Sequence, residues 1–209
     1  MSATPADVPQ TQPPASVWNI ANALTILRLV LVPVFLVLLF HGDGHDDVWR
    51  VLAWLAFAVA SVTDRIDGEI ARRRGLVTDF GKIADPIADK ALIGAALIGL
   101  SLLGDLPWWV TVVVLVREIG VTLLRFFVIR HGVMAASRGG KAKTLLQAVG
   151  IGLLVLPLGG VLHDIALLIM YAAVVVTVVT GADYVARAVR LRRTSPRALL
   201  KRAGRAGRP

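Results

Sequence analysis

Apolar residues fall in six blocks along this chain, separated by short polar breaks. The blocks cover roughly residues 20–41, 50–72, 85–104, 107–130, 144–162 and 165–191. Each approaches the 20 or so mostly apolar residues that one helix needs to cross the hydrocarbon core of a bilayer. A backbone surrounded by lipid must satisfy its own hydrogen bonds, and a helix does so within one segment. The pattern therefore predicts an all-α integral membrane protein with six transmembrane helices. Turn chemistry marks the breaks: His41-Gly-Asp-Gly after the first block, Gly104-Asp-Leu-Pro after the third, His163-Asp164 after the fifth. Before the blocks, residues 1–17 are Pro-rich and carry no Lys or Arg, which predicts a disordered N-terminal segment and not a secretory signal. Residues 18–192 form one membrane domain, and residues 193–209 a basic tail.

Composition agrees with lipid as the solvent. Of 209 residues 56% are apolar and 18% charged, against about a quarter charged in an ordinary globular chain. No cysteine is present, which excludes disulfides, thiolate zinc sites and cysteine nucleophiles. The formal charge of +9 raises nucleic acid as a partner, but the placement of the charges argues against it. The 41–49, 104–107 and 163–164 connections hold Asp and no Lys or Arg. The 72–82 and 130–143 segments and the tail hold most of the basic residues. By the positive-inside bias both termini and the second and fourth connections face the cytoplasm, in a multi-pass cell-membrane protein. The basic residues then serve as an orientation signal and a surface for anionic lipid headgroups. Trp108-Trp109 reads as an anchor at the outer interface.

Four carboxylates break the apolar pattern. Asp64, Asp67, Gly68 and Ala71 recur at i, i+3, i+4 and i+7, one helical stripe; Gly81, Asp85 and Asp89 form another on the next helix. A short connection predicts that these two helices are antiparallel neighbours and that the carboxylates converge, with small residues leaving room beside them. Four carboxylates held together repel, and the helix dipole disfavours anions at the end of the second helix. Either protons stay on or cations come in. An all-oxygen set without His or Cys points to hard divalent ions, Mg²⁺ or Mn²⁺, and two such ions about 3.5–4 Å apart clamp displacements at phosphorus. Plainer readings stand beside this one. Asp85-Pro86 also reads as a helix start, and Asp64 and Asp67 as partners of Arg65 or Arg72.

The segment Asp64-x-x-Asp67-Gly68-x-x-Ala71-Arg72, eight residues, then Gly81-x-x-x-Asp85-x-x-x-Asp89 resembles the signature of the CDP-alcohol phosphotransferases. The stretch Asn19-Ile-Ala-Asn22-Ala-Leu-Thr25-Ile-Leu-Arg28, the pair Arg117-Glu118 and the run Gly140-Lys-Ala-Lys-Thr-x-x-Gln147 resemble the branch that uses glycerol 3-phosphate. Ala21 stands where that branch commonly has Pro. The resemblance covers roughly residues 18–160.

It implies a six-helix membrane enzyme, usually a homodimer, with its site open to the cytoplasm. The implied reaction moves a phosphatidyl group from CDP-diacylglycerol to sn-glycerol 3-phosphate. By position, Asp64, Asp67, Asp85 and Asp89 are metal ligands, and Asp89 is also the general base. Asn22, Gly68, Arg72 and Thr78 are implied contacts of CDP-diacylglycerol.

For the acceptor phosphate, Arg117 and Arg125 on the fourth helix and Lys141 and Lys143 at the start of the fifth are candidates. An ionisable residue at the depth of Arg117 is a functional candidate by default. Arg117 with Glu118 also reads as a structural pair, and the two lysines as headgroup contacts. Rival functions are a sister acceptor (phosphatidylglycerol in a cardiolipin synthase, or an inositol phosphate), a cation or proton transporter, and a non-catalytic scaffold. Clustering of the acids at one membrane face disfavours the transporter.

Overall fold

The structure, a computed structural model, describes residues 20–74, 78–128 and 138–194. Among these residues are six α-helices, α1 (Ile20–Phe40), α2 (Asp47–Arg74), α3 (Asp79–Leu103), α4 (Trp108–Val128), α5 (Arg138–Val155) and α6 (Val161–Thr194), with a 3-10 turn, His41–Gly44, after α1. The expected N-terminal segment 1–17 and nearly all of the tail 193–209 lie outside the described residues, and α6 runs as far as Thr194. Among the described residues three helices are long and apolar enough to cross a membrane: Asn22–Gly44, Ala84–Leu103 and Val161–Arg190. Along otherwise apolar lengths, α2 carries Arg50 and Asp64, α4 carries Arg117 and Glu118, and α5 carries Lys143.

One core threads the bundle, with Phe35, Phe57, Leu97, Val114, Ile151 and Met170 each supplied by a different helix and all but sealed off. Lipid tails are as apolar as these side chains, so close packing and small residues hold such helices together. Gly99 and Gly150 show this. A Cβ on Gly99 would lie 2.7 Å from Leu39 Cδ2, and one on Gly150 would lie 3.4 Å from the Met170 backbone. Outward faces are apolar too: Val37, Val116 and Leu168 are exposed, as a lipid-facing surface requires.

The packing order differs from the sequence expectation in one consequential way. The helices α2 and α3 touch sparingly, and α1 packs extensively against both. Elsewhere α5 pairs with α6, α4 with α6, and α2 meets α5.

Helix boundaries also moved where polar chemistry outranks hydropathy. Predicted from 85, α3 starts at Asp79, because Thr78 caps it: the Gly81 N–H donates to Thr78 Oγ1 at 3.1 Å. Asp85 and Pro86 therefore lie inside the helix and do not begin it. Predicted over 144–162, α5 covers 138–155, since its polar first turns are helical and Pro157 with Gly159-Gly160 ends it early. Asp46 caps α2, accepting from the Val48 and Trp49 N–H groups at 3.0 and 3.2 Å.

At this end of the bundle Arg50 ties three connections together. Its guanidinium donates to Gly44 O (3.1 Å), Leu154 O (2.5 Å), Val155 O (2.9 Å) and Asp105 Oδ2 (2.6 Å). Gly44 must be glycine there: its φ is 74°, and a Cβ would fall 2.2 Å from Leu103 Cδ2. Arg50 lies about 21 Å along α2 from Asp64, so the carboxylates occupy the opposite end.

Candidate active site

The helix that links the two carboxylate stripes is α1. Asn22, Thr25 and Arg28 recur at i, i+3 and i+6 in an otherwise apolar helix, and all three are buried. Each reaches a different part of the acidic motif. Arg28, fully buried, pairs with Asp64 at 2.6 Å. Thr25 Oγ1 donates to Asp85 Oδ1 at 2.5 Å. Thr78 Oγ1 donates to Asn22 Oδ1 at 2.9 Å, so α1 also holds the residue that caps α3. This polar stripe orients one carboxylate on each neighbouring helix.

Gly81 packs into the same corner. A Cβ there would stand 3.1 Å from Asn22 Oδ1, 3.3 Å from Thr78 Oγ1 and 3.7 Å from Asp85 Oδ2. A Gly81→Val protein is expected to fold yet lose about 10²-fold in turnover, because its branched side chain displaces the cap and the nearby carboxylate. Initial rates and the unfolding midpoint of the purified variant check this.

Two cavities meet at Asp89. The larger, about 360 Å³, has Arg28, Asp64 and Asp89 at its polar end. Its walls are apolar, supplied by Trp54 and Phe57 of α2 and by α5 from Thr144 to Leu153, a run of about 14 Å, with Leu156 just beyond that helix. The smaller, about 150 Å³, lies between α3, α4 and α5, lined by Lys90, Glu118, Lys143 and Gln147 beside Asp89. Asp89, Ile93 and Thr144 belong to both linings.

The cations around the small cavity are held in place by specific partners. Lys143, buried, pairs with Glu118 Oε1, and Arg117 Nη1 reaches the same oxygen at 3.0 Å. Lys90 Nζ donates to Thr122 Oγ1 at 2.7 Å. Arg117 turns toward α6: Nε donates to Thr177 O at 3.1 Å and Nη2 to Thr180 Oγ1 at 2.9 Å. Gly181 leaves it space, since a Cβ there would lie 3.2 Å from Arg117 Cγ. Arg117 thus braces α4 against α6 and meets the cavity through Glu118.

Of the residues singled out in the sequence, Asp64 and Asp89 share one cavity, Asp85 sits beside Gly81, and Lys143 lines the other cavity. The side chains of Asp67, Gly68 and Arg72 on α2, Arg125 on α4 and Lys141 on α5 lie outside the described set. Sequence reading passed over Thr25 and Arg28 as functional residues, and Lys90 with them. For the first two the signal was present, as the polar stripe on α1. For Lys90 only the packing of α3 on α4 reveals it.

Among the described residues no three carboxylate or imidazole side chains form a group that would hold a metal ion, and Asp67 is outside that set. The donors themselves suit a hard cation: oxygen throughout, with Asp64 and Asp85 each oriented through one oxygen by α1.

Aspartates of α2 and α3 thus lie beside an apolar cleft and a small basic cavity, a site suited to an apolar substrate and a small anionic one. The chain belongs to the CDP-alcohol phosphatidyltransferase family, whose model it matches over residues 18–179. A Mycobacterium tuberculosis protein named probable phosphatidylglycerophosphate synthase is 63% identical over 176 residues, 84% of each chain. A Bacillus subtilis protein named CDP-diacylglycerol--glycerol-3-phosphate 3-phosphatidyltransferase is 37% identical over 180 residues, covering 80% of this chain and 93% of its own. A Haemophilus influenzae protein of the same name is 32% identical over 173 residues, covering 80% of this chain and 91% of its own.

Proposed function

We propose that this protein transfers the phosphatidyl group of CDP-diacylglycerol to the primary hydroxyl of sn-glycerol 3-phosphate, releasing CMP and forming phosphatidylglycerophosphate. The observation that carries the reading is the position of Asp89 in the shared wall of two unlike cavities. The apolar cleft along α2 and α5 suits an acyl chain whose headgroup ends at Asp64 and Asp89. The basic cavity suits a small phosphorylated polyol. At about 150 Å³ it is well below the 300–1,000 Å³ of sites for drug-sized ligands, which favours glycerol 3-phosphate over a diacylated acceptor.

In this reading Asp64, Asp67, Asp85 and Asp89 hold two divalent ions, Mg²⁺ or Mn²⁺. When bound, these neutralise charge on the transferring phosphoryl group. Arg28 and Thr25 orient Asp64 and Asp85, and Asp89 accepts the proton of the acceptor hydroxyl as its oxygen bonds to phosphorus. The bond from that phosphorus to CMP breaks, and CMP carries the electron pair away. Gly68 and Arg72 lie against the CDP moiety. Asn22 and Thr78, bonded to each other, hold the α1–α3 corner under it. Lys143 contacts the acceptor phosphate with Lys141 and Arg125, while Arg117 acts by positioning Glu118. All six helices span the cell membrane, the termini and the site face the cytoplasm, and two copies pair as a homodimer.

The test is an acceptor panel with CDP-diacylglycerol and the purified protein in detergent. Lipid product is expected with glycerol 3-phosphate, lost on chelation of divalent ions and restored by Mg²⁺ or Mn²⁺. Product formed with phosphatidylglycerol or an inositol phosphate in its place would overturn the acceptor assignment. CMP release that ignores every acceptor would overturn transfer itself.

A further inference from the structure

We infer that Gln147 is the residue that recognises the secondary hydroxyl of the acceptor, an inference that rests on the function proposed above. Gln147 is 3% exposed, lines the small cavity, and its Nε2 makes no hydrogen bond among the described residues. A buried amide donor without a partner is costly, so native proteins leave one where a ligand or an ordered water completes it. Its neighbours divide the acceptor among them. Lys90 and Lys143 supply positive charge, each held by a partner on α4, and suit the phosphate. Asp89, in the shared wall, takes the primary hydroxyl that reacts. Gln147 stands one helical turn beyond Lys143 on α5 and is neutral. A neutral donor suits the hydroxyl oxygen on the middle carbon better than it suits a dianionic phosphate already beside two cations. Bonded to that hydroxyl, it would fix the polyol so that the primary hydroxyl turns toward Asp89.

A comparison of two acceptors tests this: glycerol 3-phosphate, and 3-hydroxypropyl phosphate, which keeps the phosphate and the primary hydroxyl and lacks the secondary one. The wild-type protein should use the analogue about tenfold less efficiently, the loss expected for one missing hydrogen bond in a buried site. Gln147→Leu should use both acceptors equally, at the analogue's level, with the KM for CDP-diacylglycerol unchanged. Its unfolding midpoint should not fall, since an unpaired buried donor has been replaced by an apolar group of similar size. Gln147→Asn, which keeps the amide and shortens its reach, should show the same loss of discrimination.

A variant that weakens both acceptors by one factor, preserving their ratio, would place Gln147 on the phosphate and overturn the inference. A silent variant would leave the cavity to water and overturn it as well. No transfer by the wild-type protein to either acceptor would bring down the proposed function and this residue's role together. Transfer by the wild type with an unchanged ratio in the variant brings down only the latter.

Discussion

Replacing Asp89 with Asn is expected to reduce phosphatidyl transfer by about 10²–10⁴-fold or more while the bundle still folds. Asn keeps the size and one oxygen of Asp but cannot take up a proton at neutral pH. The site needs that proton removed where the two cavities meet, and Asp89 is the carboxylate that belongs to both linings. A lost metal ligand would add to the deficit. Initial rates of CMP release by purified wild-type and variant proteins, normalised by unfolding midpoint, make the comparison. Turnover at the wild-type level would remove Asp89 from the chemistry and leave the junction of cavities without a catalytic meaning.

The second large effect falls at the opposite end, on stability. Arg50→Ala is expected to destabilise the protein by about 3–5 kcal/mol, the usual loss when one partner of a buried charged pair is removed. Asp105 loses its cation, and the carbonyls of Gly44, Leu154 and Val155 lose their donor. Arg50→Lys should recover only part of this, because one ammonium cannot match a planar guanidinium spread over four acceptors. The thermal midpoint in detergent should fall sharply for Ala and less for Lys. Turnover well below the midpoint should stay near wild type, since Arg50 is about 21 Å along α2 from Asp64. An unchanged midpoint would show that the three connections are held by something else.

Much of this was legible in the chain because hydropathy and carboxylate spacing are strong signals. The end of α1 and the whole of α4 fall within a few residues of the apolar blocks that predict them. Three things were not legible, each for its own reason. The polar start of α5, Arg138-Gly-Gly-Lys, hides a helix from a hydropathy reading, and its end is set by Pro157 and the glycines after it. Asp85-Pro86 reads as a helix start until Thr78, upstream of both, is seen to accept from the Gly81 N–H, which moves the start to Asp79. The arrangement of α2 and α3 depends on a third helix. A short connection predicts direct neighbours; α2 and α3 do touch, but each packs more extensively on α1, which supplies Thr25 and Arg28 to the two acidic stripes.

Arg117 carries the same lesson for the site. In the sequence Arg117 reads both as a candidate for the acceptor phosphate and as a structural partner of Glu118, and its depth alone does not separate the two. Thr177 and Thr180, sixty or so positions away on α6, decide where its guanidinium goes.

Binding of Mn²⁺, followed by electron paramagnetic resonance on the purified protein, bears most directly on the claim that aspartates of α2 and α3 gather divalent ions at the foot of α1. Two ions per chain are expected, magnetically coupled by a spacing of about 3.5–4 Å, with the coupling lost in Asp64→Ala and in Asp89→Ala. A single isolated Mn²⁺ signal, or one that both substitutions leave untouched, would contradict it.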